Sequence, residues 1–223
     1  MLATPLLVGI LASGPRWVEV PLTAFWFVGY LAFFATGLWL KSGRRARYLP
    51  PVRVYAAAAA GLGAVTLVLE PGLARWAPLF VVPLGVGLVA SAVRDERSLL
   101  SGISTSAGSC LMTLVAYDAG GGTDWARAWL LTGVLAAYFV GTVLYVKTMI
   151  RERGVAAYHW LSALGHGAFA CAMIPVSPWL VLVFTLLAVR AAVVPAFRLS
   201  AKAVGVGEIV GSVAVAVTAL LVS

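Results

Sequence analysis

The sequence predicts an all-α membrane protein with about nine transmembrane helices, and three observations carry the prediction. Hydrophobic residues make up 62% of the 223 residues and charged residues 11%, which leaves more apolar surface than a soluble core could bury. The charges are confined to short clusters between apolar runs close to the ~20 residues that cross a bilayer as a helix. A third observation, a basic stretch that occurs twice, predicts how the helices are organised.

The apolar runs place the helices in order along a single integral membrane domain of residues 1–223. The predicted spans are 1–13, 20–40, 54–69, 76–93, 98–117, 128–146, 155–174, 178–197 and 203–222. The first span is short, since its apolar residues give only about 18 Å of helix. We therefore expect the reading frame to extend upstream of Met1, the alternative being a short, tilted or half-inserted helix.

The repeated basic stretch comprises Thr36–Arg47 and Thr142–Arg153, which align at an offset of 106 residues. Thr, Leu, Lys and two Arg are identical between the two copies. Both copies follow an apolar run, and they are four spans apart. The sequence therefore predicts two parallel four-helix pseudo-repeats, roughly residues 1–97 and 98–202, plus one extra helix at 203–222.

The net charge of +8 is distributed unevenly over alternate loops. One set of loops holds twelve cations and the other set three. The larger set is Lys41, Arg44, Arg45, Arg47, Arg53, Arg94, Arg97, Lys147, Arg151, Arg153, Arg198 and Lys202; the smaller is Arg16, Arg75 and Arg127. By the positive-inside rule the amino terminus is cytoplasmic and the carboxyl terminus outside, in a bacterial inner membrane. This distribution indicates membrane topology and predicts no nucleic-acid partner.

Two spans carry small or polar side chains. The third contains Ala56–Ala60 followed by Gly61 and Gly63, which predicts close packing inside the bundle. The fifth presents four hydroxyls on one helical face, and these predict hydrogen bonds between helices or, alternatively, the lining of a polar passage. They are Ser98, Ser101, Thr105 and Ser109.

Two histidines and two charged residues lie within the last three spans. His159 and His166 are seven apart and share a helical face, where they bond neighbouring carbonyls or hydroxyls or, alternatively, transfer protons or contact a ligand. Arg190 and Glu208 lie at similar depth on either side of one turn. Because a buried charge is costly, they must either pair or bind a ligand. No cysteine or carboxylate has metal-ligand spacing, so neither a metal nor a cofactor is predicted.

Two segments carry a resemblance to a known family. Arg97-Ser-Leu-Leu-Ser-Gly and Gly141-Thr-Val-Leu-Tyr-Val-Lys-Thr-Met-Ile-Arg-Glu-Arg-Gly154 resemble the YwiC-like family of bacterial membrane proteins, and the likeness runs over most of the chain. The resemblance implies a membrane setting and no particular reaction. Its members typically begin with a His-Gly-Ala-Trp-Ala-like stretch before Met-Leu-x-x-Pro. Here Met1–Pro5 begins the sequence, which is a second reason to expect an upstream extension.

The predicted architecture also resembles UbiA-type intramembrane prenyltransferases, which have nine helices. In that family, aspartates in the loops after helices two and six hold Mg²⁺ and through it an isoprenoid diphosphate. The matching loops here carry cations, and Glu152 is their only acid, so the Mg²⁺-dependent reaction does not carry over. The cations are Lys41, Arg45, Arg47, Lys147, Arg151 and Arg153.

Three functions follow as hypotheses. The first is binding of an anionic amphiphile, an isoprenoid or lipid phosphate among the membrane lipids, at a basic cytoplasmic mouth, with or without transferase chemistry. The second is a small transporter with a polar path through Arg190, Glu208 and His159. The third is an assembly partner of a membrane complex. The sequence leaves open whether the protein is an enzyme and which oligomer it forms.

Overall fold

The computed structural model describes residues 1–197 and 199–223, and within these ranges the chain forms nine α-helices and no strand. The predicted spans match these helices one to one, which confirms the all-α fold class. The helices are α1 (Ala3–Ser13), α2 (Glu19–Lys41), α3 (Leu49–Leu69), α4 (Ala77–Ala92), α5 (Leu99–Ala119), α6 (Trp125–Val146), α7 (Ala156–Ala172), α8 (Pro178–Val193) and α9 (Ala201–Val222).

Among the described residues, seven helices are long and apolar enough to cross a membrane. Two of them, α4 and α8, reach that length together with the 3₁₀ turns Pro71–Trp76 and Val194–Ala196. The remaining two helices, α1 with 11 residues and α7 with 17, are shorter. Multiple apolar helices make this a multi-pass membrane protein.

Serine side chains fix the starts of three helices. Ser98 accepts a hydrogen bond from the Ser101 amide, Ser177 from Trp179 and Ser200 from Ala203. Each satisfies a backbone donor that the first helical turn leaves unpaired. Pro178 directly after Ser177 favours the same start, because proline is suited to the first helical position.

The helices group into two compact units, residues 2–129 and residues 130–223, called here the amino-terminal and the carboxy-terminal unit. In the amino-terminal unit α1 packs on α5, α4 packs on both α5 and α2, and α2 packs on α3. Gly9 allows the first of these contacts, since a Cβ there would lie 2.5 Å from the carbonyl oxygen of Thr113. The core includes Leu6, Leu22 and Met112. The two predicted pseudo-repeats stay a prediction.

The prediction that the third span lies inside the bundle is wrong. In α3 only Ala59 and Thr66 are buried, and four of the five residues of Ala56–Ala60 are exposed. Lipid chains are as apolar as an alanine-rich helix, so a bilayer does not force such a helix into the protein interior. Close packing is local, where Gly63 lies against the Phe25 ring of α2.

Charged side chains join the loops at each end of the amino-terminal unit. At one end, Arg75 lies 2.6 Å from Asp118, and the Arg16 guanidinium donates to the carbonyl of Ala119. At the other end, Lys41 pairs with Glu96. The smaller and larger sets of cations therefore separate to opposite ends of this unit, as the alternation of loops predicts. The orientation in the membrane stays a prediction.

Candidate functional site

The most polar interior of the carboxy-terminal unit surrounds Arg190 and Glu208. Arg190 lies in the last turn of α8 and Glu208 in the second turn of α9. Nη1 of Arg190 is 2.7 Å from Oε1 of Glu208, and the two side chains are only 20% and 13% exposed. The pairing alternative of the sequence prediction is thereby confirmed. The contact is an ion pair without hydrogen-bond alignment, so Oε1 has no hydrogen-bond partner among the described residues.

One face of α6 holds the other oxygen of Glu208. The Thr142 hydroxyl donates to Oε2 at 2.6 Å. The Tyr138 hydroxyl is 2.8 Å from the Glu208 carbonyl oxygen and 3.1 Å from Oε2, and its single proton can go to either. Gly211 leaves room for this phenol, since a Cβ there would lie 2.7 Å from the hydroxyl oxygen. Glu208 on α9 is thus held by side chains of two other helices, α6 and α8.

The guanidinium of Arg190 is held by an aromatic ring and keeps unused donors. Its Cζ lies 4.1 Å from the centre of the Tyr145 ring, a cation–π contact. Nε and Nη2 are buried, and neither has a hydrogen-bond partner within the described part of the chain. A guanidinium edge with two free donors matches two acceptor oxygens of one phosphate or carboxylate.

His166 lies on α7 and packs against α6. Its Nδ1 is 2.8 Å from the Ser162 carbonyl oxygen, an acceptor, so Nδ1 carries a proton and donates it. Nε2 is buried and has no partner among the residues described. Gly141, directly before Thr142 in α6, lets the ring approach, since a Cβ there would lie 2.9 Å from Nε2. His159 is half-buried beside Trp160, and no hydrogen bond between described residues joins it to Arg190 or Glu208.

The second basic stretch contains a wide, π-helical turn, Lys147–Arg151, which continues α6. Lys147 is only 9% exposed, and its Nζ lies 5.6 Å from the centre of the Tyr158 ring. Arg151 and Arg153 are both exposed, and Arg153 donates from Nε to the Met149 carbonyl at 2.9 Å. These predicted site cations therefore differ strongly in their surroundings.

In the first basic stretch the helix does not continue past the lysine, since α2 ends at Lys41. After Lys41 the chain turns at Gly43, whose φ of +75° favours glycine. The residue corresponding to Gly43 in the second stretch is Met149, which is buried and helical. Because Arg44 also has a positive φ of +60°, the two stretches have different backbones, and Arg45 and Arg47 are exposed in the first.

Sequence reasoning missed three side chains of the cluster: Tyr138, Thr142 and Tyr145. Their spacing of four and three residues puts them on one face of α6, and this helical period was the available signal. Tyrosine and threonine are common in membrane helices, so nothing in their chemistry marked them. Of the two glycines spaced four residues apart on α9, Gly207 and Gly211, only Gly211 has a neighbour within 4 Å of the position that a Cβ would take, the Tyr138 ring.

The comparisons agree with the resemblance seen in the sequence. The family model described as YwiC-like protein matches residues 1–117. An uncharacterized protein of Haemophilus influenzae is 28% identical over 216 residues, covering 93% of this chain and 88% of the relative. The uncharacterized protein YwiC of Bacillus subtilis is 28% identical over 163 residues, covering 73% and 68%. No solved structure matches. Because the family model matches more than half of the chain, this multi-pass membrane protein belongs to the YwiC-like family.

Proposed function

We propose that this protein binds the phosphate head group of a membrane amphiphile, an isoprenoid phosphate or an anionic phospholipid, at Arg190. The observation that carries the proposal is the pair of buried, unpartnered donors Nε and Nη2. Leaving a buried donor unsatisfied costs about 1–3 kcal/mol. A phosphate oxygen at each donor removes that cost.

Glu208 and Tyr145 have distinct parts in this proposal. Glu208 fixes one edge of the guanidinium through Nη1. Its negative charge also balances that of Arg190, which lowers the cost of placing the arginine within the membrane. Tyr145 covers a face of the guanidinium and sets its plane. The edge bearing Nε and Nη2 is then the one that receives the ligand.

The basic stretches increase the local concentration of anionic amphiphiles at the surface. Each Lys or Arg near an anionic leaflet contributes about 1 kcal/mol of attraction. We assign this part to the six repeated cations, and a ligand contact to half-buried His159 at the start of α7. The six are Lys41, Arg45, Arg47, Lys147, Arg151 and Arg153.

Proton-linked transport along Arg190, Glu208 and the two histidines, His159 and His166, is a second candidate. The observation that favours it is the buried, unpartnered Nε2 of His166, an acceptor that could hold a proton. This candidate is tested by measuring the uptake of a short, water-soluble isoprenyl phosphate into proteoliposomes under an imposed pH gradient. It predicts that the gradient changes the uptake rate and that His166→Ala abolishes the change.

Ligand binding is tested with purified protein, by native mass spectrometry and by melting temperature. The ligands are a polyprenyl monophosphate, the polyprenol of the same length, a phosphatidic acid and the matching diacylglycerol. We expect the phosphates to bind and to raise the melting temperature, and the two alcohols to do neither. Comparison of the two phosphates distinguishes an isoprenoid from a diacyl ligand.

The paired variant R190M/E208Q removes both charges together and should lose the preference for phosphate. Its control is R16M/E70Q, which removes another Arg–Glu pair of the same chain, 3.9 Å apart and more exposed. Equal binding of alcohols and phosphates, or an undiminished preference in R190M/E208Q, would refute the proposal.

A further inference from the structure

A cavity of about 200 Å³ lies in the amino-terminal unit between α2, α4 and α5. At its inner end the Phe33 ring lies on Gly87, where a Cβ would come within 2.6 Å of the ring. At its outer end stand Lys41 and Glu96. Phe33 and Lys41 are eight residues apart on α2, so the cavity extends about 12 Å along the helix. It occupies the last turns of an apolar helix, where a membrane span reaches the head groups.

The polar lining of the cavity consists mainly of hydrogen-bond acceptors. Thr105 donates its hydroxyl proton to the Ser101 carbonyl, and Ser91 donates to the Gly87 carbonyl, so both hydroxyls keep only lone pairs for a guest. At Thr105 the predicted hydroxyl face of α5 bonds within its own helix, and two members of that face, Ser101 and Thr105, line this cavity.

Glu96 supplies the negative charge of the cavity. Its Oε1 accepts a hydrogen bond from Lys41, whereas Oε2 is buried and has no partner in the described ranges. The hydrogen bond from Lys41 lowers the pKa of Glu96, which is therefore ionised at neutral pH. A cationic N–H donor would satisfy Oε2, and Lys41 offers a positive charge beside it.

The wall of the cavity includes apolar side chains that are open to the surroundings. Phe34 is 54% exposed and Leu38 41% exposed, one turn apart on α2. In a membrane helix such side chains contact acyl chains. A fitting guest therefore has an apolar chain and a head group with both a cation and an anion.

We infer that this cavity binds a phospholipid whose head group carries a primary ammonium next to its phosphate. The ammonium donates to Glu96 Oε2 and to the hydroxyls of Ser91 and Thr105, while the phosphate lies beside Lys41. The acyl chains lie along Phe34 and Leu38. This inference is independent of the Arg190 site, which belongs to the other unit and selects an anion.

The test is competition among lipids that differ only in methylation of the head-group nitrogen. Wild-type protein is equilibrated in mixed micelles with phosphatidylethanolamine, its mono- and dimethyl derivatives and phosphatidylcholine of identical chains, and the bound lipids are counted by native mass spectrometry. Each methyl group removes one donor, so we expect retention to fall stepwise, with at least threefold more phosphatidylethanolamine than phosphatidylcholine. Phosphatidylglycerol, which has no ammonium, should also be retained less. Equal retention of all these lipids would overturn the inference without any variant.

Two variants test whether the preference for phosphatidylethanolamine depends on the charge of Glu96. Glu96→Gln keeps the shape of the side chain and removes its charge, and it should abolish the preference for phosphatidylethanolamine. Glu70→Gln is the matched control, since Glu70 is a half-exposed glutamate in an ion pair at the opposite end of the same unit. The inference fails if the preference survives in Glu96→Gln or is lost equally in Glu70→Gln.

Discussion

Removal of one or both partners of the Arg190–Glu208 pair should give strongly non-additive losses of stability. In Arg190→Met the carboxylate of Glu208 stays buried with only the Thr142 and Tyr138 hydroxyls as partners. In Glu208→Gln the guanidinium keeps only the ring of Tyr145. A lone charge within a membrane span costs about 2.5–3.5 kcal/mol. We therefore expect each single replacement to lower the free energy of unfolding by about 3 kcal/mol.

The double replacement should cost no more than either single one. Independent losses would sum to about 6 kcal/mol, so the expected coupling energy is at least about 3 kcal/mol. The glutamine introduced by Glu208→Gln still offers an acceptor oxygen to the Thr142 hydroxyl, and the methionine introduced by Arg190→Met places no charge in the span. The double variant therefore leaves neither a lone ion nor an unsatisfied hydroxyl.

The assay is reversible unfolding in mixed micelles by titration with SDS, followed by tryptophan fluorescence. The control is the same set of two single replacements and one double replacement at Arg16 and Glu70, whose side chains are 53% and 37% exposed. Exposed pairs of this kind contribute about 0–1 kcal/mol, and their coupling should be correspondingly small. If the losses at Arg190 and Glu208 are additive, or if their coupling equals that of the control, the energetic reasoning is wrong.

Three further predictions concern packing, topology and pH. Gly211→Ala should destabilise the fold by about 1–3 kcal/mol, because its Cβ would overlap the Tyr138 hydroxyl, whereas Gly207→Ala, with open space around it, should be close to neutral in the same unfolding assay. With Cys110 and Cys171 replaced by Ala, single cysteines at exposed Ala46 and Val155 should react with an impermeant thiol reagent from the cytoplasm and one at exposed Thr123 from outside; labelling of all three from one side would contradict the topology. Lys41 lowers the pKa of Glu96 from its usual 4.5, so the pair stabilises the fold above that pH and its contribution is lost as the pH falls through the lowered pKa. The melting temperature of wild type should therefore exceed that of Glu96→Gln at pH ~7 and converge with it near pH ~3, and a difference that persists in acid would count against this pair.

The helices and the pairing of Arg190 with Glu208 could be predicted because both follow from the cost of placing polar groups in lipid. That cost sets the length of an apolar run, and it requires a partner for a charge at a depth fixed by the intervening turn. The sequence carries no comparable signal for which side of a helix faces lipid and which side faces the protein interior. The alanine-rich α3 is exposed, while α6 buries tyrosines, since hydropathy does not distinguish lipid from protein interior.

The different depths of the two repeated lysines have a consequence for the effect of salt. The Lys41 side chain is 44% exposed, whereas Lys147 is only 9% exposed over the ring of Tyr158. Mobile ions screen an exposed charge within about 8 Å at physiological ionic strength and screen a buried charge much less. The attraction of anionic lipids proposed for the first basic stretch should therefore weaken as salt is added. The field of Lys147 persists, so ionic strength separates two contributions that have the same formal charge.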